Sequence, residues 1–188
     1  PQTFFQSEND FIAYTNLFYS YLPGGSGIYG ESADNIVKSS IDREVSGTRL
    51  VPTTDSKWGW GDLRNINFML NSENVKNYRD AAVRDKYVGL AKFFRAHFYF
   101  EKVRWYGDVP WYSDVISTSD EENLFKARDP RTLVMDSVLA DIDFAIEHLD
   151  ATPDVERVTK WTALALKSRI CLYEGTWRKY HPEFGLPD

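Results

Sequence analysis

The chain has 188 residues, of which 43% are apolar and 27% are charged, and its formal net charge at pH 7 is −6. This length can bury a core of its own, so we expect a single domain over residues 1–188. The acidic balance argues against nucleic acid as a partner, and no stretch approaches the roughly 20 apolar residues that span a bilayer.

The first predicted helix covers residues 8–22, after a box-like start at Ser7 and Asp10. A run of Pro and Gly at residues 23–27 ends this helix, and residues 28–57 show no sustained apolar period. We therefore expect a long loop over residues 24–57, less ordered than the helices because few of its positions can dock on a core. A second helical stripe begins at Leu63.

Three longer apolar segments follow. Residues 79–106 are apolar around most of the helical circumference, which is typical of a helix packed on more than one side. Residues 130–149 form a clear amphipathic helix, with Asp129 as its predicted cap and Pro130 at its first position. Because residues 159–177 are again apolar almost all round, we expect this helix and the 79–106 helix to pack together near the centre.

No segment shows the alternation of a convincing strand, so the sequence predicts an all-α fold. Successive antiparallel helices with Ala and aromatic contacts suggest stacked helix pairs. The single cysteine, Cys171, lies in an apolar run, so we expect its thiol to be buried and inert.

Catalytic and metal-binding patterns find no support in the sequence. His97, His148 and His181 lie far apart, and none has a metal-ligand spacing to Cys or another His. Asp141 and Asp143 are two positions apart on a helix and point to different sides, so we expect solvated charges there and not an acid–base pair. We therefore expect no catalytic residue, no metal and no cofactor.

Trp58 and Trp60 stand at the end of the predicted loop, just before a helix, among side chains that can bond hydroxyl groups. An indole can cover the apolar face of a pyranose, while neighbouring Asn, Asp and Arg side chains bond its hydroxyls. The alternative is that both indoles fasten the loop to the bundle, since large aromatic side chains are mostly buried. One Trp could also serve each purpose.

Four blocks of the sequence resemble the SusD/RagB family, and they cover residues 58–70, 89–111, 131–149 and 157–173. In the second block, the family pattern is a long helix that stops at a Tyr-Gly-Asp-Val-Pro string, here residues 106–110. The resemblance implies helical repeats of tetratricopeptide type, a lipidated N-terminus upstream of Pro1, and a TonB-dependent, SusC-like transporter as partner. It also implies that the protein continues beyond Asp188, with the C-terminal part supplying much of the ligand surface.

The resemblance further implies a set of ligand-binding residues. Starch-binding members place an acidic residue and an arginine in the loop ahead of an aromatic residue that precedes the second block. Asp34, Arg43 and Trp58 are the counterparts in order and rough spacing, with Trp60 and Asn65 as neighbours.

The leading hypothesis is a non-catalytic outer-membrane receptor that captures an oligosaccharide and passes it to the transporter. One alternative shares the fold and captures peptides, as RagB-like members do. Another is a helical-repeat scaffold whose concave face binds only protein. The Trp58 and Trp60 pair favours the glycan. Within the matching blocks, Arg95 and Lys160 are expected to tie helices together and not to touch a ligand.

Overall fold

The computed structural model describes residues 4–22, 41, 43, 46–50 and 56–184. Its helices are α1 (Glu8–Asn16), α2 (Gly61–Asn71), α3 (Glu73–Lys76), α4 (Ala81–Tyr106), α5 (Glu121–Leu124), α6 (Arg131–His148) and α7 (Lys160–Tyr180). Short 3₁₀ helices cover Leu17–Tyr21, Ser56–Trp58 and Pro182–Phe184. None of the helices described here has the length and apolarity to cross a bilayer.

The predicted all-α class is confirmed, and the helices form a tetratricopeptide-like bundle. At the start of α1, the backbone N–H of Ser7 donates to the Asp10 carboxylate at 2.9 Å, which confirms the predicted capping arrangement. The helical segment expected over 8–22 is an α-helix followed by a 3₁₀ helix. Most of the predicted 24–57 loop lies outside the described residues.

Helix α4 is the central element of the bundle, as its apolar circumference predicts. It packs most extensively against α6 and also contacts α1, α2 and α7. Its buried aromatic side chains are Tyr87, Phe93, Phe94, Tyr99 and Phe100. Gly107 ends the helix with a φ of 69°, a left-handed conformation that favours glycine because it has no Cβ.

The start of α6 differs from the sequence prediction, which made Asp129 its cap. The carboxylate that accepts the backbone N–H of Arg131 belongs to Asp108, at 2.8 Å, and comes from the other end of the preceding loop. Asp129 instead accepts the backbone N–H of Trp111 and pairs with Lys126. A local capping pattern could not show that Asp108 accepts this N–H in place of Asp129, because Asp108 is 23 positions from Arg131 in the sequence.

A buried guanidinium joins three helices of the bundle. Arg95 of α4 donates from Nε and Nη2 to Asp141 of α6, at 2.6 and 2.9 Å. Its Nη1 donates to the side-chain oxygen of Asn67 of α2 at 3.2 Å. The expected role of Arg95 as a tie between helices is confirmed. The expectation of a solvated Asp141 is wrong, because this carboxylate is buried opposite Arg95.

Helix α7 lies at the edge of the described bundle, and its predicted central position is wrong. It packs mainly against α6, with Ala163 and Ile170 buried. On its outer side, Trp161 and Leu172 are 55% and 71% exposed. An apolar circumference shows how much surface a helix can bury, but not which neighbours are present. The described residues cover only one side of α7.

The thiol of Cys171 lies on this outer side and is exposed, which corrects the expectation of a buried thiol. The apolar residues around Cys171 predicted burial, but that prediction holds only where other elements pack against every side of the helix.

We predict that replacing Arg95 by Met lowers the free energy of unfolding by about 3–5 kcal/mol, because the buried carboxylate of Asp141 loses its main partner. The matched control is Arg104→Met, which removes an ion pair with Glu101 whose side chains are 35% and 36% exposed. We expect this control to cost less than about 1 kcal/mol. Urea unfolding followed by circular dichroism measures both. Equal losses in the two variants would contradict a special role for Arg95.

We also predict that Cys171 reacts with a thiol reagent such as Ellman's reagent in native buffer, because its side chain is exposed. A Cys171→Ser variant supplies the blank. Release of chromophore only after addition of denaturant would show that the outer side of α7 is covered in solution.

Candidate functional site

The candidate site is built around the segment that leads into α2. The ammonium of Lys102, a buried side chain on α4, donates to the backbone carbonyls of Lys57 and Gly59, the latter at 2.7 Å. These bonds hold the segment against the C-terminal part of α4. They therefore fix the positions of Trp58 and Trp60, which flank Gly59.

The two indoles meet edge to face, with ring centroids 5.2 Å apart. Trp58 also packs edge to face on Tyr106 at 4.6 Å, and Trp60 packs on Phe98 and Tyr112 at 5.7 and 5.6 Å. Both indoles are half-buried. Each indole therefore packs against the bundle and keeps part of its surface open.

The open surface of both indoles lines a cavity of about 590 Å³. This volume lies within the usual range for small-ligand sites, roughly 300–1,000 Å³. One wall is the N-terminal part of α2, which contributes Arg64 and Asn67, and the other is the segment 107–130 between α4 and α6. That segment contributes Tyr112 and a set of polar or charged residues, Asp114, Lys126 and Arg128.

Hydrogen bonds from the bundle hold the second wall in place. The side-chain amide of Asn67 donates to the backbone carbonyls of Tyr112 and Asp114, at 2.9 and 3.3 Å. The hydroxyl oxygen of Tyr99 accepts the backbone N–H of Tyr112 at 2.6 Å. Burial raises the pKa of the Tyr99 hydroxyl, which favours its neutral form.

A further anchor of this wall is Asp129. Its carboxylate accepts from the backbone N–H of Trp111 at 2.7 Å and from the ammonium of Lys126 at 2.6 Å. Partial burial acts to raise the pKa of Asp129, but the bonds from Lys126 and Trp111 outweigh it and hold the pKa below its ordinary value.

The structure brings together only some of the residues predicted for the site. Trp58 and Trp60 share the cavity. Asn65 lies on a different side of α2, where its amide donates to the hydroxyl of Tyr21 at 3.0 Å. Arg43 is exposed, and its carbonyl accepts the backbone N–H of residue 48. Asp34 lies outside the described residues.

Sequence reasoning missed the residues of the second wall. Tyr112, Lys126 and Arg128 are more than fifty positions from Trp58 along the chain, and no local pattern connects them. The one available signal was an aromatic pair, Trp111 and Tyr112, directly after the helix stop. Among the residues that the structure describes, no group of three or more His, Cys, Asp or Glu side chains is close enough to hold a metal ion.

Comparison with known proteins places this arrangement in a family. Residues 34–172 match the model of a SusD-like family, described as starch-binding and associating with the outer membrane. The chain belongs to this family. The match spans the cavity walls and most of the helical bundle, so membership rests on the part of the chain that forms the site.

Individual relatives agree with the family match. A SusD-like protein, P25, of Formosa agariphila is 26% identical over 95% of this chain and 38% of its own length. A SusD-like protein of Bacteroides fragilis superposes with a TM-score of 0.76 at 26% identity, covering 94% of this chain and 37% of that protein. A SusD-like carbohydrate-binding protein of Bacteroides vulgatus, at 17% identity, shares the fold with a TM-score of 0.63. The chain thus spans less than half the length of the first two relatives.

The lowered pKa of Asp129 gives a testable pH dependence. A depressed pKa in the folded state means that the carboxylate stabilises the fold above its unfolded pKa of about 4, and that this contribution is lost as the pH falls through the folded value. We predict that Asp129→Asn is less stable than the parent by about 1 kcal/mol at pH 6. The difference should shrink as the pH falls below about 4.

Paired urea titrations across this pH range measure the difference. Asp143→Asn is the matched control, because that carboxylate is on the exposed surface and does not contact the cavity wall. A stability difference for Asp129→Asn that stays constant from pH 6 to pH 3 would contradict the assigned role.

Proposed function

We propose that the protein binds oligosaccharides in the cavity bounded by Trp58 and Trp60, and that it does so without catalysing a reaction. The observation that carries the proposal is the placing of two half-buried indoles on the wall of one cavity beside hydrogen-bonding side chains. A binding protein without chemistry needs a rigid aromatic surface for the sugar ring and polar groups for its hydroxyls.

The surroundings of the two indoles support a rigid surface. Trp58 is packed on Tyr106 on one side, and the guanidinium of Arg128 lies 5.1 Å from its ring centroid on another. Because Lys102 also fixes the backbone on both sides of Trp58, little side-chain entropy remains to be lost on binding. The carboxylate of Asp114 and the guanidinium of Arg64 line the same space and can bond sugar hydroxyls.

The wider proposal follows from family membership. Residues 1–188 form the N-terminal helical domain of a longer receptor, which is held at the outer cell surface by a lipid anchor upstream of Pro1. The receptor delivers its ligand to a SusC-like, TonB-dependent transporter. The P25 protein of Formosa agariphila and the SusD-like protein of Bacteroides fragilis are more than twice as long as this chain, and the family description names the outer membrane.

Asp34, Arg43 and Asn65 remain part of the proposal as further ligand contacts. Of these, Asn65 lies beyond the cavity described above, because its side-chain amide donates to the hydroxyl of Tyr21 on a different side of α2. A ligand longer than one or two sugar units would be needed to reach both sides of α2.

We predict that Trp58→Ala and Trp60→Ala each weaken oligosaccharide binding by roughly tenfold, which corresponds to a stacking contribution on the order of 1–2 kcal/mol. Trp105→Ala is the matched control, because this Trp is 51% exposed and lines a separate groove on α4. The control should change affinity less than about twofold. Calorimetry against a panel of glycans and peptides measures the effect, and circular dichroism verifies folding.

Because both indoles pack on the bundle, Trp58→Phe and Trp60→Phe serve as milder variants that keep an aromatic contact. Unchanged affinity in both Ala variants, with the fold intact, would assign the indoles to packing alone. Binding of peptides and of no saccharide would favour a peptide receptor instead.

A further inference from the structure

The charges around the Trp58 and Trp60 cavity differ in sign from the charge of the whole chain. The protein carries a formal net charge of −6. Yet among the residues that the structure describes, the charged side chains that line the cavity are three cations, Arg64, Lys126 and Arg128, and one anion, Asp114. A cavity that is positive within an acidic protein favours a ligand of opposite charge.

The partners of these cations decide how much charge is left for a ligand. The ammonium of Lys126 is paired with Asp129 at 2.6 Å, so its charge is largely compensated. Arg64 instead donates to the backbone carbonyl of Ile116 at 2.7 Å. Arg128 donates to the backbone carbonyls of Tyr106, at the end of α4, and Asp108, and its guanidinium lies over Trp58.

A carbonyl fixes the direction of a guanidinium without neutralising it. Among the residues that the structure describes, neither Arg64 nor Arg128 has a carboxylate within ion-pair distance. Asp114, the one acidic side chain among the described residues that line the cavity, accepts a hydrogen bond from Ser113 at 2.8 Å. Two positioned guanidinium groups therefore face the cavity with a single carboxylate opposing them.

The groove on the other side of the Trp60 segment provides a comparison within the same molecule. It has a volume of about 320 Å³ and contains Trp105, but its lining includes the carboxylates of Asp62 and Glu101 as well as the ammonium groups of Lys57 and Lys102. Charges there are balanced in number. The excess of cations is a property of the Trp58 and Trp60 cavity and not of every aromatic groove on this surface.

We infer that the cavity selects acidic saccharides, in which the sugar ring stacks on an indole while a carboxylate or sulfate substituent is bound by Arg64 and Arg128. This inference rests on the proposed function and names its substrate class. The planar guanidinium has the geometry to bind either oxyanion with two parallel hydrogen bonds. Because both arginines are exposed, the attraction is screened by salt.

The test compares binding of charged and neutral probes to the purified protein by calorimetry at low and high salt. Oligogalacturonate supplies the carboxylate, a carrageenan oligosaccharide supplies the sulfate, and maltooligosaccharide of matched length is neutral. We expect at least one acidic probe to bind about tenfold or more tightly than the neutral probe, and this advantage to shrink in high salt. The preferred acidic probe identifies the oxyanion.

Charge-neutralising variants locate the effect. Arg64→Gln and Arg128→Gln should each weaken binding of the acidic probe about fivefold to tenfold and change binding of the neutral probe less than about twofold. Arg128→Lys keeps the charge and should restore part of the loss. The control is Arg84→Gln near the N-terminal end of α4, about 30 Å from Tyr106 along the helix.

The outcomes separate the two proposals. Equal binding of acidic and neutral saccharides, or equal losses for both probes in the arginine variants, overturns the inference and leaves oligosaccharide binding in place. Binding of no saccharide at all overturns the proposed function, and the inference falls with it.

Discussion

The arrangement of α2, α4 and α6 depends on the positively charged guanidinium of Arg95, which lies in the interior of the bundle. Moving a guanidinium out of water costs free energy unless its N–H groups find hydrogen-bond acceptors. Two of its nitrogens face Asp141 of α6, and a third faces Asn67 of α2. These contacts are directional, so they fix how α2, α4 and α6 are rotated about their axes, which apolar packing alone specifies poorly.

The same network reaches the cavity. The side-chain oxygen of Asn67 accepts a hydrogen bond from the Arg95 guanidinium, and its side-chain amide donates to the backbone carbonyls of Tyr112 and Asp114. One short side chain thus connects a buried ion pair with the far wall of the site. The geometry of the cavity is therefore coupled to the packing of the bundle. We expect a substitution at Asp141 to alter the backbone position of Tyr112 through Arg95 and Asn67.

The sequence was informative where structure is local. The limits of α4, the capping arrangement before α1 and the position of Trp58 and Trp60 ahead of α2 all follow from periodicity, capping and neighbouring residue types. It failed where a partner comes from elsewhere in the chain. The carboxylate that accepts a backbone N–H at the start of α6 is that of Asp108 and not of the predicted Asp129. Asp141 is buried because it pairs with Arg95 of α4. The second wall of the cavity was missed for the same reason, as was the exposed side of α7, whose neighbours no single segment reveals.

The second wall is held mainly through its backbone. Asn67 binds the carbonyls of Tyr112 and Asp114, and Tyr99 binds the N–H of Tyr112. Any residue other than proline offers the same backbone groups at position 112, and every residue offers the carbonyl at position 114. Side chains at these positions can therefore be exchanged while the path of the chain is kept. If the cavity binds saccharides as proposed, a lineage that meets new polysaccharides can alter its ligand by substitutions in this wall and leave the folding determinants of the bundle untouched.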